Sequence, residues 1–200
     1  MKKIIGVVIG MLLFGTILTQ VALAGDEDHP DLVDDSRDVK VILKIGTLHG
    51  PTAEILFKNI DILSAWFWED ASQPENLYVT LKMGNVRVGL FSTTYLFDWQ
   101  YDGKYCFACV GHNFLSNHWS AEVGYEDEEY YNYETNAVID YKKNTITVTV
   151  PKEYVADPQP GTVIQKTYAA TFIYPPFPLV IPFAYDETIR WSSTNYIIQY

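Results

Sequence analysis

Apolar and polar residues alternate with period two along most of the chain from Val39 onward, broken at short intervals by turn residues. In "NLYVTLKMG", Leu77, Val79, Leu81 and Met83 fall on one side and Tyr78, Thr80 and Lys82 on the other, the mark of a half-buried strand. "NTITVTVP" repeats it, with Ile146, Val148 and Val150 opposite Thr145, Thr147 and Thr149. Both are rich in the β-branched and aromatic residues that pleated surfaces favour. Further strands are predicted over 40–45, 55–58, 62–68, 94–101, 105–110, 120–125, 137–141, 163–173 and 189–198. This pattern predicts an all-β chain: a single antiparallel β-sandwich, jelly-roll or immunoglobulin-like, of about 9–11 strands.

Turn chemistry fits that pattern. Asp102-Gly103 between two apolar runs predicts a two-residue type I′ hairpin, because both central positions need positive φ. Lys143-Asn144 is predicted to do the same between Tyr141 and Ile146. "YVADPQPG" predicts one helical turn and a proline-stiffened loop, and "YPPFPLVIP" (174–182), with four prolines, an extended connection rather than a central strand. Trp66 and Trp68 share one side of their strand and are expected to face the core.

The ends and the charge bound the setting. Residues 1–24 carry Lys2 and Lys3, an apolar run from Ile4 to about Leu18, and Ala22-Leu23-Ala24, the layout of a cleavable secretory signal peptide. The expected protein is therefore secreted or at the cell surface, with no membrane-spanning segment after cleavage. Residues 25–38 hold seven acidic side chains and read as a solvated segment, whose spacing departs from a calcium loop; residues 39–200 are expected to form the one sandwich domain. The chain carries a net charge of −11, and losing Lys2 and Lys3 makes it more negative. That balance speaks against nucleic acid, whose phosphates need Lys and Arg.

Both cysteines and two of the four histidines lie in "YCFACVGHNFLSNHW". The Asp102-Gly103 hairpin would pair Tyr101 with Lys104, Trp99 with Cys106, Phe97 with Ala108 and Tyr95 with Val110, placing Cys106 on an apolar face and Cys109 on the other. Residues three apart on a strand sit about 10 Å apart, too far for a disulfide without a bulge. An extracellular setting favours oxidation all the same. Cys106, Cys109, His112 and His118 also form a candidate metal set, although their spacing matches no diagnostic pattern. Free thiols, a disulfide and a metal or redox site thus stay open.

Aromatic residues make up 15% of the chain. Tyr125, Tyr130, Tyr131 and Tyr133, among carboxylates, are the materials of a sugar platform: rings stack on C–H faces, and carboxylates accept from hydroxyls. They are equally at home on solvent-facing strands. No nucleophile elbow, H-E-x-x-H or phosphate-binding glycine loop is present, and Glu126 to Glu129 read as a solvated turn, so no enzymatic activity is expected.

Through "NIDILSAWFWEDASQPENLYVTLKMG" and "NTITVTVPKEYVADPQPGT", roughly residues 60 to 170, the sequence resembles secreted β-sandwich domains of the DOMON-like group, related to the family 9 carbohydrate-binding modules. Asp61, Leu77, Val79, Val150, Pro151 and Gly161 carry the likeness. It implies a secreted sandwich that binds sugar or haem or serves as an accessory module. No local pattern ties Met83 to a histidine, so the cofactor stays unassigned. The expected function is non-catalytic binding of carbohydrate or a cell-envelope component. A surface protein pairing with a protein partner is the alternative, beside the metal or redox site.

Overall fold

A computed structural model of the chain describes residues 25–34, 40–43, 46–48, 59–88, 91–127, 129–174, 184–188 and 196–200. The predicted leader, the predicted strand over 55–58, nearly all of "YPPFPLVIP" and most of 189–198 lie outside the described residues. In chain order the strands are β1 (Leu32–Val33), β2 (Lys40–Leu43), β3 (Gly46–Leu48), β4 (Ile62–Trp68), β5 (Asn76–Met83), β6 (Ser92–Tyr101), β7 (Lys104–Asn113), β8 (His118–Glu126), β9 (Tyr130–Thr135), β10 (Ala137–Asp140), β11 (Thr145–Pro151), β12 (Val163–Tyr174), β13 (Ala184–Glu187) and β14 (Tyr196–Ile197). A 3-10 turn over Lys152–Val155 follows β11, where one helical turn is predicted.

Two antiparallel sheets pack face to face. One runs β1-β4-β5-β11-β10; the other runs β3-β2-β13-β12-β6-β7-β8-β9, with β14 added against β12. The alternation that predicts the strands also fills the space between them: Leu77, Val79, Leu81, Met83, Ile146, Val148 and Val150 from the smaller sheet meet Tyr95, Phe97, Trp99, Ala108, Val110 and Val123 from the larger. Phe67 sits at the centre, its ring edge-on to Phe97 at 5.0 Å and to Trp99 at 5.4 Å. Aromatic pairs in this geometry add attraction beyond the area they bury.

The β6–β7 hairpin has the register expected of it. Tyr101 pairs with Lys104, Trp99 with Cys106, Phe97 with Ala108 and Tyr95 with Val110. Asp102 and Gly103 both have positive φ, 48° and 78°. The Lys143-Asn144 turn differs: Asp140 pairs with Thr145, leaving a four-residue loop in which Asn144, at φ 54°, has the positive angle. Asp140 Oδ1 accepts the Lys142 and Lys143 backbone N–H groups, each at 2.9 Å, and that carboxylate fixes the wider turn.

Two expectations need correction. Trp66 and Trp68 lie on the outer side of β4, because Phe67 takes the position between the sheets, although Trp66 is still buried there at 8% exposure. Trp68 stacks on Tyr78 at 4.2 Å and donates its indole N–H to Thr80 at 3.0 Å, while Gly25 lies against Trp66. The acidic N-terminal segment is also less solvated than its composition implies. Leu32 is buried, β1 pairs with β4, and Asp31 accepts the Phe67 backbone N–H at 2.7 Å.

Candidate functional site

Strands β6 to β9 form a continuous meander, and their residues directed away from the core lie in cross-strand rows. One row runs Asp98, Phe107, Gly124, Asn132; the next runs Leu96, Cys109, Glu122, Glu134; a third runs Gln100, Tyr105, Glu126, Tyr130. Glycine at 124 decides the shape of this surface. A Cβ there would come within 2.9 Å of the Phe107 ring and 1.9 Å of the Tyr131 carbonyl oxygen. Without one, the phenyl lies down across β8, nearly buried, and reaches Tyr130 on β9. The two rings stack with centroids 5.3 Å apart and planes 7° from parallel. Tyr130 remains 65% exposed, presenting a ring to solvent.

Around this stack is a recess of about 500 Å³, lined by Leu96, Asp98, Tyr105, Cys106, Phe107, Cys109, Glu122, Glu126 and Tyr130. Its floor is apolar, three carboxylates stand around it, and among the described residues no lysine or arginine lines it. Glu122 accepts from the Asn132 side-chain amide at 2.9 Å. Asp98 is half-buried, and burial pushes its carboxyl up to about 6. A concave, aromatic-floored surface with a few polar groups converging on it is what a small-ligand site requires.

No family model, curated protein or solved structure matches this chain. The site is therefore read from its own geometry.

The four sequence-predicted tyrosines do not share one platform, because period two along β8 and β9 sends them to different faces. Tyr130 is in the recess. Tyr125 and Tyr131 stack on each other at 4.7 Å on the opposite side, with the Lys104 ammonium 4.8 Å from the Tyr125 ring centroid. Tyr133 packs on Tyr154 of the 3-10 turn at 4.3 Å.

The predicted cysteine and histidine set is likewise separated. Cys106 directs its thiol into the core, 3.7 Å from the Val155 carbonyl oxygen, and Cys109 lies on the outward face of β7, although both residues border the recess. Both are free thiols, and burial pushes them up to about 12 and about 11, so both stay protonated at neutral pH. His112 is buried, 3.3 Å from Asn117 Oδ1 and packed against Trp119, whereas His118 is exposed. Among the described residues no group of three or more His, Cys, Asp or Glu side chains is placed to hold a metal ion.

Sequence inspection selects Tyr130 and Cys109 but misses Leu96, Asp98, Phe107 and Glu122. The signal was present: the hairpin register alone sets Asp98 beside Phe107 and Leu96 beside Cys109. A glycine inside a strand pattern, such as Gly124, marks a close approach by a neighbouring group.

Proposed function

We propose that this chain is a non-catalytic carbohydrate-binding module acting outside the cytoplasm, and that it holds sugar in the recess over Phe107. The observation that carries this reading is the Phe107–Tyr130 stack seated on Gly124, with its open ring bordered by Asp98, Glu122 and Glu126. A pyranose laid on Tyr130 would place its C–H face on the ring and its hydroxyls toward the carboxylates. The N-terminal leader pattern and the DOMON-like resemblance support export and a sandwich-borne binding site. The acidic lining argues for neutral or basic sugars over anionic ones.

The test is calorimetric titration with a panel of soluble oligosaccharides. Tyr130→Ala is expected to weaken binding by roughly tenfold, the scale of one aromatic stacking contact. Tyr133→Ala, which removes a ring held against Tyr154 away from the recess, is expected to leave affinity within about twofold. Equal binding by wild type, Tyr130→Ala and Phe107→Leu would remove the recess from consideration.

A further inference from the structure

We infer that the recess selects sugars bearing a free, protonated amine over neutral sugars of the same shape, an inference that rests on the carbohydrate-binding proposal above. Its lining is chemically one-sided. Asp98 enters from β6 and Glu122 and Glu126 from β8, around an apolar floor of Leu96 and Phe107, and among the described residues nothing cationic lines it. Of the described cations near this face, Lys104 pairs with Asp127 at 3.2 Å and lies over Tyr125 on the other side of the sheet, and Lys166, in the β12 bulge next to the Tyr168–Asp98 pair, is exposed and outside the lining. Lys82 and Lys152 pair with Glu27 and Glu69, both away from this face. Among the described residues no cation faces these three carboxylates, which leaves a cationic ligand as their natural partner.

A hydroxyl meets a carboxylate through an ordinary hydrogen bond, whereas an ammonium makes a charge-assisted one about twice as strong. An ammonium also gains from lying near an aromatic face, which Tyr130 supplies. An N-acetylated sugar keeps the ring but exchanges the charge for a bulkier neutral amide, and a plain hydroxyl in the same place keeps the size without the charge. An acidic sugar would be repelled by all three carboxylates.

Asp98 is the carboxylate placed to discriminate. Around it stand Phe107, Tyr105 and Cys109 from β7, Glu122 and Glu126 from β8, Tyr130 from β9, and Tyr168 from β12, whose hydroxyl donates to Glu187 at 2.9 Å. Burial lifts its carboxyl to about 6, so it is ionised at pH 7 and neutral below pH 5. Protonation of Asp98 as pH falls through 6 should therefore remove its share of the amine preference and leave that of Glu122 and Glu126.

The experiment is titration of the protein at pH 7 with β-1,4-linked trisaccharides of glucosamine, N-acetylglucosamine and glucose. The glucosamine trimer should bind about tenfold more tightly than the other two. Asp98→Asn with Glu122→Gln should erase that preference, bringing the glucosamine trimer to the affinity of the other two, and Glu153→Gln, an exposed carboxylate outside the recess, should retain it. Equal affinity for all three sugars would overturn the amine selectivity and leave the carbohydrate reading standing. Absence of binding by any sugar would overturn both. An amine preference that survives in the double variant would locate the attraction in the acidic surface at large and overturn the assignment to this recess.

Discussion

Lys152→Ala is expected to lower the unfolding free energy by about 3–5 kcal/mol, because it strands a buried carboxylate. Lys152 Nζ lies 2.7 Å from Glu69 Oε1, and the two side chains are only 6% and 1% exposed. Glu69 ties in the end of the described chain as well, since its Oε2 accepts the Tyr196 hydroxyl at 3.0 Å and the Gln199 backbone N–H at 2.6 Å. Lys152 also donates to the Tyr200 carbonyl. Removing the cation takes the countercharge from a carboxylate that is only 1% exposed. The paired change Glu69→Gln with Lys152→Met is expected to recover much of the loss, because it removes both charges together. Urea unfolding of the single and double variants measures this. A single-variant loss below about 1 kcal/mol would show that the pair is not buried as described.

Gly124→Ala is expected to cost about 3 kcal/mol and to abolish the recess, a joint effect on fold and site that few single methyl groups have. The added Cβ would lie 1.9 Å from the Tyr131 carbonyl oxygen, which belongs to the β9 backbone and cannot swing aside like a side chain. Either β9 shifts away from β8 or the pairing of Gly124 with Asn132 breaks. The Phe107 ring, 2.9 Å from the same point, must also lift and lose its contact with Tyr130. Unfolding by urea reads the first effect, and oligosaccharide titration under strongly native conditions reads the second. Wild-type stability in this variant would contradict the close approach of β9 on which the site depends.

Where strands alternate cleanly, residues predict their own neighbours. β5 and β11 present the expected faces, and the Asp102-Gly103 turn sets the β6–β7 register. The failures are physical as well. Trp66, Phe67 and Trp68 are three consecutive apolar residues, and β4 has a register shift between Ile62 and Ser64, so alternation cannot say which ring faces inward. Phe67 occupies the interior because Phe97 and Trp99 pack around it, a contact between segments far apart in sequence. β9 was hidden because its inward positions, Tyr131 and Tyr133, are tyrosines that also suit a surface.

The candidate site was half visible for a related reason. Cys109 and Tyr130 drew notice through their chemistry, whereas Phe107 and Leu96 looked like ordinary strand residues and Asp98 like an isolated polar one. Only the stacking of β6, β7, β8 and β9 side by side converts those positions into one surface. Neutral burial patterns cannot show that an outward-facing phenylalanine lies flat; the glycine opposite it can.

The most direct measurement is an aromatic-region nuclear magnetic resonance titration of the isotopically labelled protein with the oligosaccharide that binds it best. Ring signals of Tyr130 and Phe107 should shift together and saturate with the calorimetric affinity, while those of Tyr133 and Tyr154 stay in place. Shifts confined to Trp68 and Tyr78 on the opposite sheet, or to the Tyr133–Tyr154 pair, would contradict binding in the recess over Phe107.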